Sequence, residues 1–298
     1  MMERKGRPGP VAVIGLGAMG LPMALALLRG GFVVRGYDLR ADARAAFAAD
    51  GGIVVDSVRT AAAGAAVLML MVVDAAQAES VLLAEGALES MPADGIVLLT
   101  ATCPPTAVQA VAGRVLATGR GFVDAPVSGG TAGATAATLT VMAAGAPDDV
   151  DSVRPLLETI GKRIFVVGSA PGQGAVVKAV NQLLCGAHIA VAAEGLALAH
   201  RLGVDGQMIL DVMGGSAAAS WMLNDRGPRM LQEHPVVSSA VDIFVKDLAI
   251  VLQAGRDSRT ALPMAALAHQ LFLAASGRGI GAEDDSQVIR CLEALNGA

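Results

Sequence analysis

Apolar and polar positions follow two different patterns along this chain. In the first half, short runs of consecutive apolar residues alternate with stretches in which apolar residues recur at helical spacing. Short uninterrupted apolar runs predict strands buried on both faces, and their alternation with helices predicts a doubly wound parallel sheet. The predicted strands are residues 11–14, 33–37, 53–55, 67–72, 96–99 and 121–124, with 138–144 and 164–167 added at one edge of the sheet.

The second half has a different pattern. After Gly168 the short apolar runs disappear, and helical spacing continues with breaks at glycines and prolines, among them Pro228 and Gly277. The sequence therefore predicts an α/β domain over residues 1–169 and an all-α domain over residues 170–298.

A glycine-rich turn follows the first predicted strand. Its spacing, Gly15-x-Gly17-x-x-Gly20, is typical of dinucleotide-binding Rossmann domains. The first glycine permits a tight turn, the second lets the backbone approach a pyrophosphate, and the third allows close packing of helix on strand. The alternative is a strand, turn and helix without a cofactor. The candidate cofactor-binding residues of this turn are Gly15, Leu16, Gly17, Ala18, Met19 and Gly20.

Asp38 supplies the second part of this fingerprint. It ends the second predicted strand, about 20 residues after Gly20. A carboxylate there accepts hydrogen bonds from a ribose hydroxyl and repels a 2′-phosphate, so we expect NAD rather than NADP. Arg40, two residues later, could weaken that preference.

Composition and charge narrow the function classes. The net charge is −5 and the chain has no basic run, which argues against a nucleic-acid partner. The three cysteines are isolated, which predicts no metal site and a reducing compartment, the cytoplasm. Residues 183–199 approach the length of a membrane span but contain His188 and Glu194, so we expect a buried central helix and no membrane. The first ten residues are expected to be frayed.

Three further segments carry candidate chemistry. In the segment DAPVSGG, the Ser128 hydroxyl and the Gly129 and Gly130 amides could hold a substrate carboxylate; the alternative is an ordinary glycine-rich turn. Further along, Lys178 and Asn181 lie three residues apart and share a helix face.

Lys178 has a second interpretation, since a lysine on a helix is usually a surface residue. Its apolar neighbours instead predict that it is buried. In the third segment, Lys246 and Asp247 lie within an apolar stretch, and Asp247 either fixes Lys246 or belongs with it to a solvated helix face.

Together these motifs resemble the β-hydroxyacid dehydrogenase family, which includes 3-hydroxyisobutyrate dehydrogenase and tartronate semialdehyde reductase. The resemblance rests on GLGAMGLPMA, DAPVSGG, GxGxxxKxxN and FxxKDL in this order and covers nearly the whole chain. It implies that Lys178 is the catalytic lysine, that Asn181 positions the substrate and that Lys246 lies at the cofactor. It also implies cofactor contacts for Val72 and Val73, beside the nicotinamide ribose, and for Thr102.

The chain departs from the common family pattern at some positions. Gln182 stands where many members have a second Asn, and residues 219–226, 239–248 and 283–285 resemble the branch acting on four-carbon sugar acids. That resemblance implies NAD-dependent oxidation of a C2 hydroxyl in carbohydrate metabolism. Two roles are open for Trp221, Asn224 and Arg226, namely contact with a polyhydroxy substrate and packing at a helix end.

Other functions stay open at this point. Another β-hydroxyacid dehydrogenase activity is the first alternative, and a non-catalytic NAD-binding protein is a remote one. Imine reductases resemble this architecture but usually replace the catalytic lysine, which argues against them. The apolar helix over residues 176–202 has more apolar surface than a small domain needs to bury, so we expect a homodimer or homotetramer.

Overall fold

The computed structural model describes residues 9–297, and most of the segment expected to be frayed lies outside this range. The described chain forms two compact units, one ending at Lys178 and one beginning at Ala179. This division falls inside a long helix, a few residues beyond the domain boundary expected at 169/170.

The first unit is built on one mixed sheet. Its strands are β1 (Val11–Ile14), β2 (Val34–Tyr37), β3 (Ile53–Val54), β4 (Val67–Leu70), β5 (Ile96–Leu99), β6 (Gly121–Asp124), β7 (Val127–Ser128), β8 (Leu139–Gly145) and β9 (Gly161–Gly168). Its helices are α1 (Gly20–Arg29), α2 (Ala41–Ala49), α3 (Val58–Ala62), α4 (Ala75–Glu79), α5 (Ala87–Ser90), α6 (Pro105–Leu116), α7 (Gly130–Thr135), α8 (Pro147–Ile160) and the start of α9 (Gln173–Arg201).

The strand order is β3-β2-β1-β4-β5-β6-β8, with β7 and β9 both paired to β8. Strands β1 to β6 are parallel, as predicted. One edge of the sheet departs from the parallel order, because β8 runs antiparallel to β6. Apolar patterning reports that a strand is buried but not its direction, and β7 is too short to give a pattern.

Both faces of this sheet are covered, which explains the uninterrupted apolar runs. In β1, Val11 and Val13 contribute to one apolar cluster, and Ala12 and Ile14 contribute to the other. The first cluster includes side chains of α1 and α8, and the second includes side chains of α3 and α6. The first unit is therefore a doubly wound Rossmann domain.

The second unit is helical. It contains the remainder of α9, then α10 (Gly206–Met213), α11 (Trp221–Met230), α12 (Val241–Ser258), α13 (Pro263–Ala275) and α14 (Ile289–Leu295). Phe244 of α12 and Phe272 of α13 stack in its core with ring centroids 5.0 Å apart. Pro228 lies inside α11, so the break expected there is wrong. The break expected at Gly277 is present, because α13 ends at Ala275 and the following turn is non-helical at Gly279.

Helix α9 is only partly buried within the described chain. Ile189 and Ala193 are buried, whereas Leu184, Val191 and Leu198 are about half exposed, so the expected buried central helix is only partly present. By length and composition alone, α9 could span a membrane, a test that core helices of globular proteins also pass.

Candidate active site

The glycine-rich turn joins β1 to α1, and two of its glycines are required by the backbone around them. Gly15 has φ +94°, and a Cβ there would lie 2.3 Å from the Met71 carbonyl oxygen. A Cβ on Gly20 would lie 1.9 Å from the Gly15 carbonyl oxygen. Any side chain at either position would therefore displace backbone.

Gly17 is different. The atom nearest to a Cβ at this position would be Arg40 Nη2, at 3.9 Å, so packing within the protein does not require a glycine here. The open space above Gly17 fits a pyrophosphate close to the backbone, which is the role of the second glycine in the fingerprint. The turn therefore fits a dinucleotide.

Asp38 braces this turn. Its Oδ2 accepts the Leu16 N–H at 2.7 Å, and its Oδ1 accepts the Arg40 N–H at 2.8 Å. The Arg40 Nε lies 3.4 Å from the same Oδ1. The sequence predicts the acidic residue here but not its hydrogen bond to the loop. The side chain is 12% exposed, so part of it is accessible to a ligand.

A cleft of about 530 Å³ adjoins the end of β2. Arg44 Nη1 donates to the carbonyl oxygens of Asp38 and Leu39, and the Arg44 guanidinium lies 6.0 Å from the centre of the Tyr37 ring. An aromatic ring and a guanidinium plane offer stacking surfaces to a base. The sequence motifs do not predict this cleft, because Arg44 belongs to α2 and to none of them. The lining residues are Tyr37, Leu39, Arg44, Val54, Val55 and Asp56.

The remaining cofactor candidates of the first unit lie at the same edge of the sheet. Val72 and Val73 follow β4, and the Val73 N–H donates to Gln77 Oε1 at 3.0 Å. Thr102 follows β5 and is partly buried. Strands β1, β4 and β5 are neighbours, and the strand order reverses between β1 and β4. In open α/β sheets, ligands bind at the carboxyl ends of the strands beside such a reversal.

Asp124, at the end of β6, holds the first turn of α9. Its Oδ2 accepts the N–H of Gly172 at 3.0 Å and that of Ala175 at 2.8 Å. The side chain is fully buried, and its Oδ1 has no hydrogen-bond partner among the described residues. Burial raises the pKa of Asp124 to about 6, and the backbone donors oppose this rise only in part. No sequence motif predicts this role for Asp124.

The segment after β6 contains the candidate carboxylate-binding residues. Ser128 lies in β7 and is partly buried. Gly129 and Gly130 have φ +132° and +61°, a region that favours glycine. A Cβ on Gly130 would meet no atom within 4 Å, so the space beside it is open to a ligand.

Lys178 lies on α9 and is only 6% exposed. The expected reason for its burial is wrong, because Val176, Val177 and Val180 are themselves exposed. Asn181 follows three residues later on the same helix, so both side chains project from one helix face.

In the second unit, a chain of hydrogen bonds joins three of the motif residues. Asn181 Nδ2 donates to Gln182 Oε1 at 2.8 Å, and Gln182 Nε2 donates to Asp247 Oδ2 at 2.5 Å. Lys246 Nζ donates to Asp247 Oδ1 at 2.6 Å. Asp247 is 3% exposed, so it fixes Lys246 rather than sharing a solvated face with it. The Gln182–Asp247 hydrogen bond was not predicted.

Arg226 is held by the protein itself. Its guanidinium donates to both carboxylate oxygens of Asp285, at 2.7 and 3.0 Å, and also to Asp225. Burial alone would lower the pKa of Arg226, but the hydrogen bonds and charges of these two aspartates raise it. The Arg226 guanidinium carbon lies 6.0 Å from the centre of the Trp221 ring. Asn224 Nδ2 donates to the Gly214 carbonyl oxygen. This geometry favours helix-end packing over substrate binding for Arg226.

Comparison with known proteins settles the family. Residues 10–168 match the model described as the NAD binding domain of 6-phosphogluconate dehydrogenase. Residues 172–292 match the NAD-binding domain of NADP-dependent 3-hydroxyisobutyrate dehydrogenase. The chain belongs to the 3-hydroxyisobutyrate dehydrogenase-like family, a group of β-hydroxyacid dehydrogenases. It is a NAD-dependent dehydrogenase that acts on a hydroxyl group.

Relatives in this family are similar over nearly their whole lengths. An L-threonate dehydrogenase of Cupriavidus necator is 43% identical over 94% of this chain and 95% of the relative. An L-threonate dehydrogenase of Escherichia coli K12 is 36% identical over 96% of this chain and 95% of the relative. The crystal structure of 3-hydroxyisobutyrate dehydrogenase from Salmonella typhimurium superimposes with a TM-score of 0.88 at 36% identity, covering 95% of this chain and 99% of the other.

The position of Asp38 predicts the cofactor preference of this β-hydroxyacid dehydrogenase. In Asp38→Asn, the charge that repels a 2′-phosphate is lost and Arg40 loses its carboxylate partner. We expect the ratio of kcat/KM with NAD to kcat/KM with NADP to fall by about tenfold or more. Asp42→Asn, an exposed charge change on α2, is the matched control. A ratio that stays at the wild-type value in Asp38→Asn would show that Asp38 does not select the cofactor.

The buried carboxyl of Asp124 predicts a pH dependence of stability. Because its pKa is about 6 when folded and 3.8 as a free group, the folded state binds the proton more tightly. Stability from this group is therefore full below pH 3.8 and falls as the pH rises towards 6, by about 3 kcal/mol in total.

Urea unfolding of the wild type and of Asp124→Asn between pH 4 and pH 7 measures this effect. The free energy of unfolding of the wild type minus that of the variant should decrease with rising pH. Asp151→Asn, an exposed substitution on α8, should give no such trend. A difference that is flat or rises with pH for Asp124→Asn would contradict the assignment.

Proposed function

We propose that this protein oxidises the C2 hydroxyl of a small sugar acid, converting L-threonate to 2-oxo-tetronate with NAD. The observation that carries the proposal is the buried Lys178, placed on a helix whose first turn is tied to the carboxyl end of β6. The names of the Cupriavidus and Escherichia relatives support L-threonate as the substrate.

Each candidate residue has a defined task in this reaction. Lys178 is buried and acts as the general base that takes the proton of the C2 hydroxyl. Ser128, Gly129 and Gly130 bind the carboxylate, and Asn181 holds a polar group of the substrate. NAD, when bound, supplies the hydride acceptor.

We propose the following contacts with the cofactor. The 15–20 turn, Asp38, Val72, Val73 and Thr102 bind it at the sheet edge. Lys246, fixed by Asp247, contributes its charge, as the family resemblance implies.

A second candidate function has its own support. The Salmonella structure and the family model over residues 172–292 both bear the name 3-hydroxyisobutyrate dehydrogenase. This alternative, like a tartronate semialdehyde reductase, keeps the mechanism and changes only the substrate. A non-catalytic NAD-binding protein would keep the glycine turn but would not need a buried lysine.

Initial rates of NADH formation on a small panel decide between these activities. We expect L-threonate with NAD to give the highest kcat/KM among L-threonate, D-erythronate, D-glycerate and 3-hydroxyisobutyrate. Preference for 3-hydroxyisobutyrate or D-glycerate would retain the family mechanism and reject L-threonate. No activity on the panel, with NAD binding intact, would favour a non-catalytic protein.

Replacing Lys178 tests the mechanism independently of the substrate. Loss of a general base lowers rates by a factor on the order of 10²–10⁴. The kcat of Lys178→Ala should therefore fall by that factor or more, while NADH binding survives. Lys162→Ala, an exposed lysine on β9, is the matched control. Turnover near that of the wild type in Lys178→Ala would reject Lys178 as the acid–base group.

We further propose that the enzyme is a cytoplasmic homodimer or homotetramer with no nucleic-acid or membrane partner. Exposed apolar residues follow one another along α9 from Val180 onwards and continue past its end onto α10, and a second copy of the chain would cover them. They include Val180, Leu184, Val191, Leu198, Leu202, Met208 and Val212.

A further inference from the structure

The hydrogen-bond chain in the second unit has a fixed direction. It begins at Asp247, a buried carboxylate whose Oδ1 receives the Lys246 ammonium at 2.6 Å. An ionised carboxylate only accepts hydrogen bonds. Its other oxygen, Oδ2, therefore requires a donor, and Gln182 supplies its NH₂ group at 2.5 Å.

The orientation of Gln182 in turn determines that of Asn181. With its NH₂ turned to Asp247, Gln182 presents Oε1 to Asn181 and can only accept there. Asn181 must then turn its own NH₂ group towards Gln182. The second N–H of that group points to Cys185 Sγ at 3.4 Å. The assignment of amide oxygen and nitrogen thus follows from the charge on Asp247.

Asn181 consequently presents one kind of group. Both of its N–H donors are directed within the protein, so the side chain offers Oδ1, an acceptor. Asn181 is partly exposed, whereas Gln182 is 7% exposed and Asp247 is 3% exposed. A substrate group bound by Asn181 must therefore donate a hydrogen, which a hydroxyl can do and a carboxylate or carbonyl cannot.

This requirement restricts the substrate. A hydroxyl has one hydrogen, and in the proposed function the reacting C2 hydroxyl gives its hydrogen to Lys178. Asn181 Oδ1 must then accept a hydrogen bond from another hydroxyl of the substrate. We propose that Gln182, held by Asp247, is a positioning residue that fixes Asn181 as the acceptor for a second substrate hydroxyl and so selects polyhydroxy acids over monohydroxy acids. The inference rests on the proposed function only for the direction of proton transfer.

The length of Gln182 matters to this arrangement. Many family members have Asn at this position, and an Asn side chain is one methylene shorter. From the same backbone position it would not reach Asp247 as Gln182 does. Which hydrogen-bonding group Asn181 presents to a substrate is thus set by Gln182 in this chain, and the KxxN motif alone does not determine it.

The test compares L-threonate with two analogues, one lacking the C3 hydroxyl and one lacking the C4 hydroxyl. The measured quantity is kcat/KM for L-threonate divided by kcat/KM for each analogue. In the wild type we expect one of these two ratios to be about tenfold or more, the effect of one hydrogen bond. In Gln182→Met, which has a similar length and no amide, that ratio should fall to the value found for Asn181→Ala.

Further variants separate this role from general damage. The double variant Asn181→Ala with Gln182→Met should show no additional fall, because Gln182 acts through Asn181. Gln182→Asn, the residue common in the family, should also lower the ratio and guards against a folding defect in Gln182→Met. Gln207→Met, an exposed glutamine on α10 bonded to Asp211, should leave the ratio unchanged.

Some outcomes would overturn the inference. One is a wild type that oxidises both analogues as well as L-threonate. Another is a Gln182→Met variant that loses activity equally on all three substrates, and a third is a double variant whose losses multiply. If the wild type does not oxidise L-threonate, the proposed function fails separately. The same ratios are then measured on the hydroxy acid that it does oxidise, with and without its second hydroxyl.

Discussion

The structure of the first unit depends on the two hydrogen bonds that Asp124 accepts from the start of α9. They tie the carboxyl end of β6 to the helix that carries Lys178. Gly172 has φ +94°, and a Cβ on Gly174 would lie 2.5 Å from the Met142 carbonyl oxygen, so the backbone reaches Asp124 only because both positions are glycine. The GxG pattern before Lys178 is thus a packing requirement of this junction.

The same edge of the sheet explains why the cofactor candidates lie far apart in the sequence. Parallel strands bring their carboxyl ends together, so the loops after β1, β2, β4 and β5 meet at one edge although long segments separate them. Asp38 adds a constraint within this edge by holding the Leu16 N–H. The side chain expected to meet the ribose therefore also fixes the shape of the glycine turn.

Much of the fold was predictable because it depends on local patterns. Runs of apolar residues predict the parallel strands, and the glycine spacing predicts the turn after β1. The backbone of that turn requires glycine at positions 15 and 20. The direction of β8 was not predictable, because both of its possible pairings bury the same residues. The bonds of Asp124 to Gly172 and of Gln182 to Asp247 span 48 and 65 residues. No local pattern specifies a pair at that distance. A single sequence therefore places the candidate residues on their elements but does not show which of them hold one another.

Three buried or partly buried carboxylates have the same physical role in these two units. Asp38 holds the glycine turn, Asp124 holds α9, and Asp247 holds Gln182 and Lys246. Burying a carboxylate is unfavourable unless it is paired, and among the described residues Asp124 has backbone donors on Oδ2 and no hydrogen-bond partner on Oδ1. If stability alone determined the residue at position 124, a neutral side chain would be favoured. The retained carboxyl is better explained by geometry: a carboxylate accepts several donors at once and so orders the backbone that leads to Lys178. Departures from the most stable choice are expected at functional sites, which fits the role proposed for Lys178.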